Sequence, residues 1–519
     1  MAPRFPRLLL ATLLTALCAC SDDGPQRNVL IISVDTLRAD RLGLYGNDDW
    51  GSSPSPGADA LAAEGVTFDM ALAPRGQTHP SMASMLTGKY PITTGLRENG
   101  LALHSQHVTL FEHLIADGFQ TGIFLANLDS RPGSEDWAYR GAELVADGFA
   151  GRRHLEAPRE ARFQSTWDQR VEDATLDFLG QLDDDRPFAA WVHFYDVHKP
   201  YTPEGEYLTR YGLVDGLPDE LVNPIKEDGK PLARLLRDVT FGNRELSAAE
   251  LQRILGLYDG GVAATDARLE RVLAALEQTG RAEDTYIVFT SDHGEELYDR
   301  NRYFFHGNSL YQGVLRLPLV FTGPDLPAGS RIPAHVQNVD IAPTVMDLLG
   351  VPADDAMEGK SLVALMRDET NDPPRPVSFI EWQDVLYAAT DGVHKYVHNP
   401  QHAHLLKSPF TRKQDGTLPP FGYRVDCFEG YNLSDDVREA NNLLADIDPT
   451  ALGSGAGLPP EFAALRTALE RWLAEPHHER EMSWPGLTAA RVEAMEQLGY
   501  VSGGIDRPDV MLMEPCVER

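Results

Sequence analysis

Three groups of acidic and imidazole residues directly follow segments whose apolar, β-branched pattern predicts strands. Asp35 follows the first of these strands, Asp292 and His293 follow another, and the segment 193–198, which begins and ends with histidine, closes a third. Because the carboxyl ends of parallel strands meet at one edge of a sheet, we expect these residues to face one crevice. Carboxylate oxygens and imidazole nitrogens are ligands for divalent cations, so the pattern indicates a metal site with Asp35, Asp292 and His293 as ligands.

Thr78 is the candidate nucleophile, because its hydroxyl would stand at the start of a helix. It precedes Pro80 and a short helical pattern at 81–86. Unpaired N–H groups and the helix dipole favour an anionic group at such a position. A divalent cation held by the two carboxylates and the imidazole could bind the Thr78 oxygen as an alkoxide and make it a nucleophile.

Each of these residues also has a structural explanation when it is taken alone. Asp35 could cap the turn after its strand, and His193 could be a core histidine whose hydrogen bonds are satisfied. His198 and His306 could be surface histidines. The combination with Thr78 is what favours chemistry over these alternatives.

The elements that would position these residues alternate along the chain. Short apolar runs of strand length are separated by longer amphipathic segments, which predicts an α/β fold with a mostly parallel sheet flanked by helices. The strongest helix pattern begins after Ser247, with Glu250 completing a capping box; Gly256, Gly260 and Gly261 weaken its middle, so a kink or two helices are alternatives. The predicted strands are 28–34, 121–125, 189–195, 286–290 and 317–321, and the predicted helices are 109–116, 168–182 and 248–279.

The composition changes after about Arg367, which divides the chain into a catalytic α/β domain at 21–367 and a smaller C-terminal α+β part at 368–519. Residues 202–246 show little periodicity and are expected to form an insertion on the face that carries the site. In the C-terminal part the patterns predict strands at 377–380, 385–390 and 393–398 and a helix at 461–473.

Composition and the N-terminus restrict the location and the partners. The chain has 519 residues and a formal net charge of −32, which argues against nucleic acid as a partner because phosphate backbones are bound by Lys and Arg.

Residues 1–20 resemble a bacterial lipoprotein signal, which implies lipidation of Cys20 and an exported, membrane-anchored protein of the bacterial envelope. A plain secretory signal is the alternative. Cys427 and Cys516 would then remain, either paired or as two buried thiols.

Three segments of the chain resemble the signature segments of the sulfatase family, within the alkaline phosphatase superfamily. They are 34–40, 78–81 with Thr87 and Gly88 after it, and 291–295. The resemblance implies the fold of that superfamily and hydrolysis of an anionic ester, and it extends from Asn28 to about Ser502. Weaker matches lie at 193–201, 306–318, 340–344, 431–443 and 498–501.

Departures from the family pattern shift the expected chemistry. Where Thr78 and Met82 stand, sulfatases of this family have a cysteine or serine, which is oxidised to formylglycine, and an arginine. Threonine is a secondary alcohol that would oxidise to a ketone, so no formylglycine is expected, and Thr78 instead resembles the nucleophile of phosphodiesterases and phospho-group transferases. Thr36 stands where many sulfatases have another metal-binding aspartate. The segment lining their sulfate pocket is replaced around Asn127. This donor set favours one zinc or manganese ion over calcium.

The resemblance and its departures together predict a metal-dependent hydrolase that cleaves or transfers a phosphoester group through Thr78. His198 and His306 would bind the transferring group or protonate the leaving oxygen. Lys199 and Asn127 are the predicted substrate-binding residues. One alternative is a sulfuric ester hydrolase that acts without formylglycine. Another is an inactive protein of the same fold that binds anionic glycans.

Overall fold

A computed structural model of the chain describes residues 27–126, 137–147, 164–203, 205–212, 215–240, 243–299, 304–307, 309–382, 386–399, 403–405, 427–455, 457–475 and 510–512. Within these residues a nine-stranded sheet has the order β4-β3-β5-β1-β6-β8-β2-β7, with β9 also paired to β2. Its strands are β1 Asn28–Val34, β2 Val66–Leu72, β3 Gln120–Leu125, β4 Leu144–Asp147, β5 Phe188–Phe194, β6 Thr285–Ser291, β7 Arg316–Leu317, β8 Leu319–Thr322 and β9 Ser330–Gln337.

The central strands β4, β3, β5, β1 and β6 are mutually parallel, whereas β8 runs antiparallel to β6. Strands β1, β3, β5 and β6 are buried along their whole length. Continuous apolar runs of this kind form strands that are covered on both faces. The prediction of a mostly parallel sheet flanked by helices is therefore confirmed.

Helices cover the two faces of this sheet, and alternate strand residues face the two layers. One layer contains apolar residues of α2, α4, α11 and α12, and the other contains those of α1, α5, α8 and α9. The helices are α1 Pro56–Ala63, α2 Thr78–Thr87, α3 Pro91–Thr94, α4 Leu110–Ala116, α5 Gln164–Leu179, α6 Glu206–Arg210, α7 Asp219–Val222, α8 Lys230–Thr240, α9 Ala248–Gln278, α10 Gln312–Leu315, α11 Ile341–Leu349, α12 Val363–Met366, α13 Pro449–Ser454 and α14 Pro460–Ala474.

Helix α9 is one continuous helix, and both halves of its predicted capping box at Ser247 are present. The alternative of two helices is wrong, for a tertiary reason. A Cβ on Gly256, Gly260 or Gly261 would lie 2.8, 2.7 and 2.9 Å, respectively, from the main-chain oxygens of Tyr211, of Tyr207 in α6 and of Asp196. The glycines therefore mark close approaches of other backbone to the helix, and the packing offsets their low helix propensity.

The insertion at 202–246 is more regular than the sequence pattern predicted. It contains α6, α7 and α8, and α8 buries Leu232, Leu235, Leu236 and Val239 against the layer that includes α9. These residues have the i, i+3, i+4, i+7 spacing of an amphipathic helix, which the polar residues and prolines around them obscured.

A second, antiparallel sheet has the order β10-β11-β12-β14. One of its faces is covered by α14, whereas Ile380, Trp382, Leu386, Val397 and Tyr431 on the other face belong to the core of the large domain. The small sheet therefore completes the main core. Its strands are β10 Ser378–Trp382, β11 Leu386–Thr390, β12 His394–His398 and β14 Phe428–Asn432, and β13 Ala403–Leu405 pairs separately with β15 Val510–Leu512.

Cys427 is disulfide-bonded, and the other three cysteines of the chain lie outside the described residues. No helix among the described residues combines the length and the apolarity needed to cross a membrane.

Candidate active site

Asp35, Asp292 and His293 form a group that could hold a metal ion. Each offers one ligand atom, and these atoms all lie within 4.8 Å of one another. All three side chains are buried. The structure thus brings together the three non-hydroxyl ligands that the sequence pattern indicated.

The register of two adjacent parallel strands places these ligands side by side. Val34 at the end of β1 pairs with Ser291 at the end of β6, so Asp35 and Asp292 are the next residues on each strand. The hydroxyl of Ser291 lies 2.7 Å from the carbonyl oxygen of Val34, and the N–H of Thr36 donates to Asp292 Oδ1 at 3.2 Å. Thr36 has a φ of 57°, a conformation that is strained for a β-branched residue and is found mostly at functional sites.

The protonation of His293 follows from its hydrogen bonds. Nδ1 lies 2.9 Å from the carbonyl oxygen of Gly294, which can only accept, so Nδ1 carries the proton. In the neutral ring Nε2 then has a free lone pair. This atom lies 3.2 Å from Thr78 Oγ1 and 3.3 Å from Asp292 Oδ2, which is the arrangement of a metal-ligating histidine oriented by a backbone carbonyl.

Thr78 is the first residue of α2 and is buried. The helix is tied to the ligand strand, because Ser81 donates a hydrogen bond to the carbonyl oxygen of Asp292. Asn338 Nδ2 in turn donates to Ser81 Oγ at 2.7 Å. These contacts fix the Thr78 hydroxyl against His293.

His306 lies next to His293, and His198 lies next to His306. The ring centroids of His198 and His306 are 5.0 Å apart, and those of His306 and His293 are 4.7 Å apart. His306 Nδ1 lies 3.3 Å from both carboxylate oxygens of Glu295, which is buried. Burial, followed by the neighbouring charge of His306, lowers the pKa of His198 well below its ordinary value. Burial also raises the pKa of Glu295.

The remaining predicted site residues have different outcomes. Lys199 adjoins His198, and its Nζ lies 3.4 Å from the centroid of the Phe305 ring, next to His306. Asn127 and Cys20 lie outside the described residues. The pairing of Cys427 with Cys516 stays a prediction for the same reason.

Asp168 is a site-forming residue that the sequence pattern did not indicate. It lies on α5 and is buried, and its carboxylate accepts the backbone N–H groups of Tyr195 and Asp196 at 2.7 and 2.8 Å. It therefore fixes the turn that leads from β5 to His198. No spacing signal in the sequence connects a residue in mid-helix to that turn.

Three buried ion pairs that involve the C-terminal sheet were also missed. Glu381 on β10 accepts from Arg75 at 3.1 Å and from Arg97 at 2.6 Å, and Arg75 lies three residues before Thr78. Lys395 on β12 pairs with Glu439 at 2.6 Å and donates to the carbonyl oxygen of Leu310, in the segment that follows His306. The C-terminal sheet thus supports both segments that approach the metal ligands from the side.

The group at the sheet edge fits a divalent cation. Two carboxylates, one imidazole nitrogen with a free lone pair and one hydroxyl are a donor set for such an ion. Asp292 Oδ2 is buried and accepts no hydrogen bond from the described residues, and such an atom calls for a ligand.

Comparisons with known proteins agree with this architecture. Residues 27–351 match the family model described as Sulfatase, and residues 301–454 match the one described as N-sulphoglucosamine sulphohydrolase, C-terminal. The chain is 24% identical, over 84% of its length and 86% of the relative's, to an N-acetylglucosamine-6-O-sulfatase of Bacteroides thetaiotaomicron. It is 27% identical, over 82% of its length and 95% of the relative's, to a multifunctional alkaline phosphatase superfamily protein of Trinickia caryophylli.

The fold is shared with solved structures. A phosphonate monoester hydrolase of Agrobacterium radiobacter superposes with a TM-score of 0.62 at 23% identity, covering 86% of this chain and 96% of that one.

The sheet, the ligand group at its carboxyl edge and these relatives define an ester hydrolase of the alkaline phosphatase superfamily, whose members depend on metal ions. Within that superfamily the chain belongs to the sulfatase family.

Proposed function

We propose that this protein hydrolyses or transfers phosphorus esters through an unmodified Thr78 nucleophile. Asp35, Thr78, Asp292 and His293 would hold one divalent ion, with zinc or manganese favoured, calcium as the alternative and no formylglycine. The observation that carries the proposal is the position of Thr78. Its Oγ1 lies 3.2 Å from the free lone pair of His293 at the start of α2, where an activated hydroxyl would stand in line with an anionic group.

The side chains of the site divide the reaction between them. Thr78 Oγ1 loses its proton to water and attacks phosphorus, so an oxygen–phosphorus bond forms and the bond to the leaving oxygen breaks. His306, oriented by Glu295, donates the proton that the leaving oxygen takes up, and His198, whose pKa lies well below its ordinary value, is the candidate to bind the transferring group. Attack by water, or by an acceptor hydroxyl, then cleaves the phospho-threonine and regenerates Thr78. A bound divalent ion supplies positive charge that lowers the pKa of the threonine hydroxyl.

The positive charge of Lys199 supports an anionic substrate, since its ammonium group lies 3.4 Å from the centroid of the Phe305 ring and is close enough to His198 and Glu295 to affect their pKa values. Asn127 is proposed as a further substrate contact. The net charge of −32 makes nucleic acid an unsuitable substrate, so a small anionic ester is favoured.

A sulfate ester is the second candidate substrate, and the names of the relatives favour it. Several relatives are sulfatases, including a choline-sulfatase of Rhizobium meliloti at 24% identity. A sulfate ester carries less negative charge than a phosphate monoester, so the same site could serve it. The third candidate, an inactive glycan-binding protein, is disfavoured because binding alone needs no hydroxyl poised against the metal ligands.

The N-terminal segment supports export and anchoring of the mature chain through lipidated Cys20, in the bacterial envelope. Metabolic labelling with a fatty acid tests this part of the proposal. We expect label in the wild-type chain and none in Cys20→Ala; label in that variant would place the modification elsewhere.

The substrate class is tested with aryl esters of sulfate, phosphate, phosphate diester and phosphonate, each turned over by the full chain with Zn²⁺, Mn²⁺ or Ca²⁺. We expect Thr78→Ala to lose turnover of a phosphorus ester and Thr78→Ser to retain a measurable part. Thr87→Ala is the matched control, because Thr87 lies at the other end of α2 and is equally buried. Full activity in Thr78→Ala would refute the nucleophile, and a preference for the sulfate ester would establish the second candidate.

A further inference from the structure

Three buried side chains on one face of the central sheet form a hydrogen-bonded series near the candidate metal ligands. Trp191 Nε1 donates to Ser33 Oγ at 2.8 Å, and Ser33 Oγ lies 2.8 Å from Nδ1 of His193. All three residues are 0% exposed. Ser33 and His193 are paired across β1 and β5, one position before the strands end.

The direction of these hydrogen bonds fixes the protonation of His193. An indole N–H can only donate, so Ser33 Oγ accepts from Trp191. Ser33 Oγ has a second lone pair, but its own proton has no acceptor among the described residues other than Nδ1 of His193, so the arrangement that satisfies both groups has Ser33 donating to Nδ1. In the neutral ring the remaining proton therefore lies on Nε2. Burial lowers the pKa of His193 to about 4, with a partial offset from Asp292, so the ring is neutral at pH 7.

This Nε2–H has no hydrogen-bond acceptor among the described residues, although the side chain is fully buried. A buried donor without an acceptor is costly, and native structures rarely keep one unless water, an ion or a ligand completes it. The position of His193 therefore calls for an acceptor that the described residues do not supply.

The sheet places His193 beside the end of β1, the strand that leads into Asp35. The N–H of Asp35 donates to the carbonyl oxygen of Phe194 at 2.8 Å, so the ladder between β1 and β5 continues to Asp35. Side chains two residues apart on a strand share a face, so Asp35 stands above Ser33 on the face to which His193 also belongs. That face is the one covered by α2, the helix that begins with Thr78.

We propose that His193 is a substrate-binding residue whose Nε2–H donates a hydrogen bond to an oxygen of the tetrahedral anionic group, phosphate or sulfate, held at this site. The inference rests on the proposed function only in that the site binds such a group. His193 differs from His198 and His306 in its role. It is a fixed neutral donor, locked by Ser33 and Trp191, and it transfers no proton.

The test is the affinity of inorganic phosphate and of inorganic sulfate, measured by calorimetry on the full chain loaded with Zn²⁺ or with Mn²⁺. We expect His193→Leu to weaken binding of the anion about 10- to 100-fold, as is typical for loss of a hydrogen bond to a charged group. His193→Gln can still donate from its amide nitrogen and should remain within about fivefold of wild type. Ser33→Ala, which removes the tautomer lock but keeps the ring, should fall between the two.

Thermal unfolding separates this role from core packing. His193→Leu removes one unpartnered buried donor, the Nε2–H, but leaves another, the Ser33 hydroxyl, so its unfolding temperature should stay close to that of the wild type. An unchanged anion affinity in His193→Leu overturns the proposal, and so does an equal loss in His193→Leu and His193→Gln together with lower unfolding temperatures. Absence of millimolar binding of both anions by the wild type overturns it as well. If His193→Leu does not fold, the anion affinities of the other two variants decide. Ser33→Ala should bind the anion more weakly than His193→Gln, and equal or reversed affinities overturn the proposal.

Binding is measured without turnover, so the two proposals can fail separately. Full activity of Thr78→Ala would refute the proposal of a Thr78 nucleophile and would not affect the proposal that His193 binds the anion. An unchanged anion affinity in His193→Leu would refute the proposed His193 contact and would not affect the proposal of a Thr78 nucleophile.

Discussion

The two sides of the active site are held in place by different interactions. Asp35 and Asp292 extend adjacent parallel strands, and main-chain register sets their separation. Thr78 and His306 lie on segments that are supported by buried ion pairs with the C-terminal sheet, through Glu381 and Lys395. The first side depends on backbone hydrogen bonds of the sheet, and the second depends on charged side chains far away in sequence.

This difference indicates which side should tolerate substitution. A backbone ladder survives most changes of side chain, whereas a buried charge that loses its partner is strongly destabilising. Variants of the C-terminal sheet should therefore disturb Thr78, the proposed nucleophile, while the candidate metal ligands stay in place, and removal of divalent cations should have the converse effect.

The largest expected effect is that of Glu381→Gln. The carboxylate is buried, and although burial raises its pKa, Arg97 and Arg75 lower it below its ordinary value overall. The substitution would remove the negative charge that two buried guanidinium groups share, although Arg75 keeps its pair with Glu98 at 3.3 Å, and should reduce the free energy of unfolding by about 3–5 kcal/mol. Urea unfolding measures this loss, and kcat/KM should also fall because Arg75 supports the Thr78 loop.

Glu470→Gln is the matched control for that measurement. Glu470 pairs with Arg466 on the outer surface of α14, four residues apart, and is 53% exposed. An exposed pair of this kind contributes at most about 0.5 kcal/mol. Equal losses in the two variants would contradict the distinction between the buried and the exposed pair.

Removal of divalent cations should have the next largest effect, and it should act on the other side of the site. An ion present at about 100 times its dissociation constant stabilises the native state by about 2.7 kcal/mol, so a chelator should lower the unfolding temperature correspondingly. Asp292→Asn should be nearly insensitive to the chelator, and Glu381→Gln should remain sensitive. A chelator response in Asp292→Asn equal to that of the wild type would rule out this ligand group.

The smallest expected effect concerns acid stability of the C-terminal sheet. Burial, followed by the charge of Arg466, lowers the pKa of His398 to about 4. His398 binds a proton near pH 6.5 in the unfolded chain but only near pH 4 in the native state. Its contribution to the free energy of unfolding is therefore fully present above pH 6.5 and is lost as the pH falls from about 6.5 to about 4. The contribution is about 1–2 kcal/mol, since the ring is partly exposed.

His398→Phe should remove that part of the pH dependence while keeping the stacking against Phe428. Thermal unfolding at pH 7 and pH 4.5 measures the difference between variant and wild type. An identical drop in both proteins would show that His398 contributes nothing to the acid transition.

The candidate metal ligands at the carboxyl edge of the sheet could be predicted from the sequence because their determinants are local. Asp35, Asp292 and His293 each follow an apolar run, and neighbouring parallel strands bring such positions together. The motif resemblance supplied Thr78, which the structure places against His293.

The supporting contacts could not be predicted, because they join residues that no spacing rule connects. Arg75 and Glu381 are separated by 306 residues, and the pattern of either segment alone indicates only an ordinary loop and strand. The continuity of α9 was equally hidden, since Gly256 reads as a weak point until the carbonyl of Tyr211 is seen to approach it. The Nε2–H of His193 is likewise visible only once Ser33 and Trp191 are placed beside the ring.

The completion of the main core by the small sheet has a consequence for the order in which the chain matures. Ile380, Trp382 and Tyr431 are among the later residues to leave the ribosome or a translocation channel, yet they cover apolar residues of a domain made much earlier. A nascent chain that stops before β10 would display that uncovered surface and lack the partner of Arg75, and such intermediates are prone to aggregate. Catalytic competence is therefore acquired late, after the C-terminal strands have been delivered, and prematurely terminated products should be both insoluble and inactive.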